Sequence, residues 1–549
     1  MSDPDHPVLR STTRRRVRDT IHPVVFTASA VIVVLFVVLT SLFTGPAGDV
    51  FAALQARITA TFGWFFILAV SGFLVFCLWL AFGRFAHVKL GPDDSEPDYS
   101  NVSWFAMLFS AGMGIGLLFW GVAEPISHFQ LDPPRAGAGT TAAARDAMLF
   151  SFHHWGFGPW AIYALTGMGL AYFGYRHGEP LAIRSLFRPL LGRRVDGRLG
   201  DLVDVVAVVS TMFGVATSLG LGVMQVNAGL EYVFDIGISR GTQLVLIAVI
   251  TAVATASVVT GLDRGIQRLS QLNVGLAALV LVFVLAAGPT LLLVSAFVQN
   301  TGAYLGESVD LFTRLGVYQG SEWLDSWTIF YWAWWVSWSP FVGMFIARIS
   351  RGRTIRQFVL GVLLVPSLVS FVWFTVLGNT AISLDGAGGV ISGLVGDDPS
   401  LALFGLLEQL PLARPMMVIA TLLVVSFFVT SSDSGSFVID MLTSGGDPDP
   451  HVATRVFWAV SEGAVAAALL LAGGLEALQA VAISGGLLFT VVLVAGAVSV
   501  ARGLRSEFGA PPRRHELPPV HLRDAVERDR QRERRRLEAE AAPGGRETG

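Results

Sequence analysis

Apolar runs of membrane-crossing length, separated by short polar connections, recur along most of this chain. About 20 predominantly apolar residues make an α-helix long enough to cross the hydrocarbon core of a bilayer. The runs predict twelve such spans, at about 23–43, 61–83, 103–128, 144–175, 201–230, 241–260, 272–297, 322–349, 357–383, 413–441, 454–474 and 478–501. Two further stretches, 304–323 and 388–411, mix apolar and polar positions without the uninterrupted length of a crossing. They are expected to lie along the membrane surface as amphipathic segments.

Composition agrees with an all-α integral membrane protein. Of 549 residues, 53% are hydrophobic and 14% charged, whereas soluble domains carry about 25% charged residues. Basic residues gather in alternate connections (84–100, 176–200, 262–268 and 348–356), while 231–240 and 384–412 hold only Arg240 between them. The positive-inside rule then places both termini in the cytoplasm, for a multi-pass protein of the cell inner membrane. The polar N-terminal 22 residues lead into a first helix read as retained, not as a signal peptide. The single cysteine, Cys77, excludes an intrachain disulfide and a cysteine-cluster metal site. From Arg502 to Gly549 the chain carries twelve Arg and nine Asp plus Glu. This tail reads either as a solvated segment or as an arm that meets anionic lipid. Its interleaved charges do not suit nucleic-acid binding. Phosphate loops, dinucleotide fingerprints and HExxH are absent, and nothing suggests an enzyme or a bound cofactor.

Candidate chemistry centres on Trp323 to Pro340, which holds six of the fourteen tryptophans. Trp327, Tyr331, Trp334 and Trp338 follow a helical spacing and form one aromatic ridge. Such a ridge fits plain packing, a lipid-interface belt or the wall of a cage for a quaternary ammonium group. Ser337, Ser339, Pro340 and Gly343 are expected to loosen the helix where a ligand can reach its backbone. In the third span, Gly112, Gly114 and Gly116 alternate. Small-residue packing is one reading, and a helix broken at mid-membrane to bind substrate is the other. In the fourth span, Gly156, Gly158 and Pro159 predict an irregular turn between Trp155 and Trp160, after which Trp160 and Tyr163 share a face. Adjacent His153 and His154 lack a carboxylate or cysteine at ligand spacing and are assigned to backbone groups. Ser210, Thr211, Thr217 and Ser218, with Thr430 to Ser434, offer hydroxyl oxygens that suit sodium or bond back one turn. Asp433 among them favours an ion site.

The segments AGMGIGLLFWGVAEP (111–125), HHWGFGPW (153–160), FGVATSLGLG (213–222), WTIFYWAWWVSWSPFVGMFIARISRGRT (327–354) and FFVTSSDSGSF (427–437) resemble, in order, those of the betaine/carnitine/choline transporter family. The resemblance implies twelve helices with two leading ones, then a 5+5 inverted repeat of the sodium-symporter (LeuT-like) type, in a homotrimer. The expected division is 1–22 cytoplasmic, 23–100 leading helices and loop, 101–299 first repeat, 300–325 external segment, 326–501 second repeat and 502–549 cytoplasmic tail. By resemblance, Trp155, Trp160, Tyr163, Trp334, Trp335 and Trp338 surround the methylated ammonium head. The backbone of Ala111, Gly112 and Met113, with Ser337, receives the carboxylate. Trp323 and Phe330 line the external path. Sodium falls on Ser110, Met113, Phe427, Thr430 and Ser431. A second sodium position falls on Thr211, Val215 and Phe341, where sodium-coupled members have threonine in place of Val215. Gly116 stands where choline and carnitine carriers tend to have Asp, which points to a zwitterion.

The expected function is uptake of a zwitterionic compatible solute, glycine betaine first, by sodium symport with alternating access. Proton-coupled uptake or exchange of choline, carnitine, ectoine or proline is the alternative, and a non-transporting osmosensor the third reading.

Overall fold

The computed structural model describes residues 20–112, 114–260, 263–318, 320, 322–386 and 388–508, with side chains for all of these except 109–112, 260 and 263–267. Among them the secondary structure is helical, apart from one isolated antiparallel bridge between Lys89 and Thr354. The principal helices are α1 (Pro23–Leu42), α2 (Thr44–Phe82), α3 (Asn101–Gly112), α4 (Ile115–Ile126), α5 (Thr141–Trp155), α6 (Phe157–Ala171), α7 (Arg198–Phe234), α8 (Arg240–Thr260) and α9 (Asp263–Ala287). They continue as α10 (Thr290–Thr313), α11 (Thr328–Arg348), α12 (Ile355–Asp385), α13 (Val390–Asp397), α14 (Ala402–Glu408), α15 (Ala413–Thr443), α16 (Val452–Ala472) and α17 (Leu475–Phe508). Residues up to Val500 form one compact unit. The helical residues Ala501–Phe508 belong to a second.

Among the described residues, nine helices are long and apolar enough to cross a membrane. The other three expected crossings differ for identifiable reasons. The third and fourth are each split, into α3 with α4 and α5 with α6, so no half reaches crossing length alone. The eighth, α11, has 21 residues, but four tryptophans, Tyr331 and two serines lower its hydropathy. The seventh expected span is overturned at its far end: α9 stops at Ala287, and after Gly288 and Pro289 the chain starts α10. Residues 290–297, read as part of that crossing, belong to α10, which also takes in the first half of the 304–323 amphipathic segment. In α10 the buried positions (Leu293, Asn300, Tyr304, Leu311 and Phe312) alternate with exposed Leu291, Val294, Val298, Leu305 and Val309. The 388–411 segment forms two short helices, α13 and α14, as its mixed pattern suggests.

Close approach of α6 and α11 follows from small residues at their crossing. A Cβ on Gly167 would lie 3.0 Å from the carbonyl oxygen of Gly343, and one on Gly343 only 2.6 Å from Thr166 Cγ2. Pro340 inside α11 cannot donate to the carbonyl one turn back. The Ser339 hydroxyl donates to that carbonyl, Val336 O, at 2.7 Å. The expected loosening is therefore satisfied locally, and α11 runs on unbroken to Arg348.

The connections 84–100 and 348–356 are stitched together. Leu90 N–H donates to Arg353 O at 2.8 Å and Gly352 N–H to Leu90 O at 2.9 Å. A capping box of Thr354 and Gln357 then starts α12. Arg353 is buried over the Trp104 ring, 3.9 Å from its centroid, and donates to Asn101 Oδ1 and Tyr99 O at 2.8 Å each. Hydrogen bonds to a charged group contribute about 1.5–3 kcal/mol each. Arg353→Ala is expected to lower the melting temperature of detergent-solubilised protein by several degrees, read by intrinsic fluorescence.

Candidate functional site

The two helix breaks put backbone and aromatic rings at the same level. Gly114 is extended and opens α4. Gly156 separates α5 from α6, with Pro159 in the first turn of α6, where its missing N–H would have no helical partner anyway. Between them lies one cavity lined by Gly114, Ile115, Gly116 and Leu117 of the third span, Trp155, Pro159, Trp160 and Tyr163 of the fourth, and Trp334, Trp335 and Trp338 of α11. Ser218 of α7, Ser370 of α12 and Ser431 of α15 complete its wall, and its empty space including the mouth is about 550 Å³. All six aromatic residues expected at a cage thus line one space. Trp334 and Trp335 are stacked at 4.5 Å, Trp155 meets Trp335 edge-on at 4.8 Å, and Trp160 meets Tyr163 edge-on at 5.3 Å.

Behind Trp155 lies a polar network at fully buried positions. Glu124 of α4 accepts from Trp155 Nε1 at 2.8 Å and from the Tyr331 hydroxyl at 2.5 Å, both on Oε2. Its Oε1 faces His154 Nδ1 at 2.6 Å and His128 Nε2 at 3.4 Å. His154 Nε2 lies 2.9 Å from Thr328 Oγ1. This corrects the assignment of the two histidines. His154 pairs with a carboxylate thirty residues earlier, and His153 is wedged between the rings of Phe312 and Trp332 at 4.8 and 4.9 Å. Glu124, His128 and His154 bring three potential ligand atoms within 4.8 Å of one another. Spacing along one helix could not reveal that meeting, although Glu124 and His128, four apart in GVAEPISH, are two of its three members.

Ser337 does not join this wall; its hydroxyl donates to Ala482 O at 3.0 Å. Of the expected carboxylate and sodium groups on the third span, the side chains of Ser110, Ala111 and Gly112 and the whole of Met113 lie outside the described residues. Phe427, Thr430 and Ser431 line a second cavity with Ser270, Asn273, Trp338 and Phe341. Asn273 Nδ2 donates to Thr430 Oγ1 at 3.2 Å, and Thr430 lies 3.1 Å from both Ser426 O and Phe427 O. Thr211 bonds back to Ala207 O at 2.7 Å and does not line that cavity with Phe341. Asp433, read as favouring an ion site, is instead paired with Arg455 of α16 at 3.1 Å.

Hydrogen-bonded tryptophans lie on one side of the site and further cavities on the other. Trp323 and Trp327 donate from Nε1 to Asp132 O at 2.9 Å and Asp132 Oδ2 at 3.0 Å, and Phe330 is stacked on Trp334 at 5.5 Å. In the opposite direction, Trp338 and Ser431 line both the first and second cavities. Phe341, Phe345 and Ser434 line both the second and a third, which reaches Tyr99, Arg348 and Ile349.

The profile of the BCCT, betaine/carnitine/choline family transporter, matches residues 24–509. The chain belongs to the betaine/carnitine/choline transporter family. It is therefore a multi-pass membrane transporter and not an enzyme. Its relatives in this family include a glycine betaine transporter of Acinetobacter baylyi, 45% identical over 88% of this chain and 74% of the relative. The glycine betaine transporter OpuD of Bacillus subtilis is also 45% identical, over 82% of this chain and 88% of its own length. A glycine betaine/proline/choline transporter of Vibrio parahaemolyticus is 45% identical over 89% of this chain and 91% of the relative. Apart from Tyr163 and Ser370, the residues lining the aromatic cavity lie in the segments through which the sequence resembles the family.

Proposed function

We propose that this transporter takes up glycine betaine, or a closely related zwitterion, by sodium symport with alternating access. The observation that carries the substrate class is the six-ring cavity beside the helix break at Gly114. A trimethylammonium head is held by ring faces, whose attraction for a desolvated cation is about 2 kcal/mol or more. A carboxylate attached to that head would be received by the backbone of the broken third span, which the resemblance places at Ala111, Gly112 and Met113. The names of the relatives agree with this class, and the Vibrio protein extends it to proline and choline.

The architecture we propose has twelve spans with a 5+5 inverted repeat, the third to seventh paired with the eighth to twelfth, within the boundaries expected from sequence. Helix packing supports it. The prominent packed pairs are spans four with eight, three with nine, five with ten, and six with eleven. Exchanging spans three to six with eight to eleven turns the first pair into the second and returns the other two to themselves. With both termini in the cytoplasm of an inner-membrane protein, the second and third cavities lie on the inward side and the tryptophans around Asp132 on the outer side. That is the arrangement of an inward-facing carrier. Homotrimer assembly and contact of the tail with anionic lipid rest on resemblance and tail charge.

Sodium would be held by Phe427, Thr430 and Ser431 together with Ser110 and Met113. Oxygen ligands suit a hard cation of this kind. Val215 supplies no side-chain oxygen at the second position, so one sodium per solute is the stoichiometry we propose. Sodium binding favours the state that also binds solute, and that differential affinity couples the two. The test is uptake of labelled glycine betaine into proteoliposomes under a sodium gradient, with potassium as the replacement ion. Uptake is expected to fall at least tenfold without sodium. Undiminished uptake driven by a proton gradient or by internal solute would replace symport with proton coupling or exchange.

A further inference from the structure

We infer that Glu124 is a positioning residue that sets the charge preference of the aromatic cavity. It orients Trp155 and makes that ring a stronger host for a cation. This inference rests on the cage reading above.

Glu124 is fully buried, yet Oε2 accepts from the Trp155 indole and the Tyr331 hydroxyl, and Oε1 lies 2.6 Å from His154 Nδ1. A buried carboxylate is costly unless it is bonded in this way. The indole N–H of Trp155 can only donate, so Oε2 is fixed as an acceptor. The partners come from three parts of the fold: His128 just beyond α4, His154 and Trp155 of α5, and Tyr331 of α11. Trp155 is therefore gripped at its nitrogen edge, while its other edge reaches the cavity. A Cβ on Gly116 would lie 2.9 Å from Trp155 Cη2.

An indole that donates to an anion gains electron density, and its negative ring face deepens. Cation–π attraction rises with that density, and low dielectric strengthens the effect. The carboxylate also lies one ring away from the guest, near enough to favour a cation directly. A metal ion among Glu124, His128 and His154 is the competing use of these atoms. The 2.6 Å contact between Glu124 Oε1 and His154 Nδ1 is already a hydrogen bond that an ion would have to open. Trp155, Tyr331 and His154 account for both Glu124 oxygens without that cost, while His128 Nε2, 3.4 Å from Oε1, makes no hydrogen bond.

The test compares glycine betaine with 3,3-dimethylbutanoate, which has the same shape but carbon in place of the ammonium nitrogen. Both compete against labelled glycine betaine in proteoliposomes holding the full-length protein. Glu124→Gln is expected to weaken betaine about tenfold while moving the carboxylate analogue, whose head carries no charge, by less than about threefold. The loss is expected in KM more than in kcat. An equal loss for both ligands means a structural role only and overturns the inference, as does an unchanged ratio. If Glu124→Gln does not fold, Tyr331→Phe decides by the same ratio, because it removes one donor to Oε2 and keeps the ring. It leaves Trp155 as the donor on Oε2 of an intact carboxylate, so the ratio is expected to move the opposite way, towards betaine, and an unchanged ratio overturns the inference. Trp334→Leu separates this inference from the reading beneath it. If that variant also keeps its betaine affinity, the cage reading falls. If it loses affinity while the Glu124 variant treats both ligands alike, only the role of Glu124 falls.

Discussion

Replacing Trp160 and Trp338 together with leucine is expected to raise the KM for glycine betaine about a hundredfold. The two rings stand on separate helices, α6 and α11, and both line the cavity. Leucine keeps an apolar surface but has no ring quadrupole. With about 1–2 kcal/mol of cation–π attraction lost at each wall, the sum approaches 3 kcal/mol, or a factor of about 100. The measurement is uptake kinetics in proteoliposomes, with ligand-induced thermal stabilisation as an independent readout of binding. Trp64→Leu is the matched control, since Trp64 is 54% exposed on α2 and lines none of the three cavities. Trp338 also lines the second cavity, so its loss opens the wall between solute and the hydroxyls of α15. Sodium dependence is expected to weaken along with affinity. Retained uptake and retained KM in the double variant would remove the physical basis for an ammonium site here.

How far this site is legible in the sequence depends on the distance over which each interaction acts. The helix breaks are local. Glycine at 112, 114 and 116, and Gly156 with Pro159, mark them directly, and the chain turns there as the pattern predicts. The ridge of Trp327, Tyr331, Trp334 and Trp338 is also local, but its division of labour is not. Trp327 reaches out to Asp132, Tyr331 turns to Glu124, and only Trp334 and Trp338 line the cavity. A helical spacing says that four rings share a face without saying what that face meets. Glu124 is the clearest case of what pattern cannot supply. Its partners lie 30, 31 and 207 residues further on, and a glutamate beside a proline carries no local sign of them. Asp433 misleads for the same reason, because Arg455 comes from the next helix. Ser370 of α12 joins the cavity wall with nothing in its own segment to announce it. The end of α9 turns on sequence grammar instead: Gly288 and Pro289 interrupt an apolar run that length alone joins into one crossing.

Gly116→Asp is expected to reverse the preference between zwitterion and cation, at a cost that the sequence does not foretell. A choline-like cation has no carboxylate of its own and gains from an anion beside its pocket. Two unit charges about 4 Å apart attract by about 4 kcal/mol at an effective dielectric of 20, before desolvation is subtracted. A zwitterion brings its own counter-charge and is repelled at its carboxylate end. Yet the position is already crowded: a Cβ on Gly116 would lie 2.9 Å from Cη2 of both Trp155 and Trp334. Any side chain there must push two cage rings apart, and overpacking of this kind costs about 1–3 kcal/mol. Gly116→Ala isolates that steric cost. It is expected to weaken glycine betaine about tenfold with no gain for choline, since 1.4 kcal/mol corresponds to a factor of about ten. Gly116→Asp bears the same displacement and adds the charge, so choline is expected to compete better against labelled betaine than it does in the native protein. Competition measured across the native protein and both variants separates the two effects. If Ala and Asp change the choline-to-betaine ratio alike, charge at this position does not choose the substrate, and selectivity must come from the walls that Trp155 and Trp334 form.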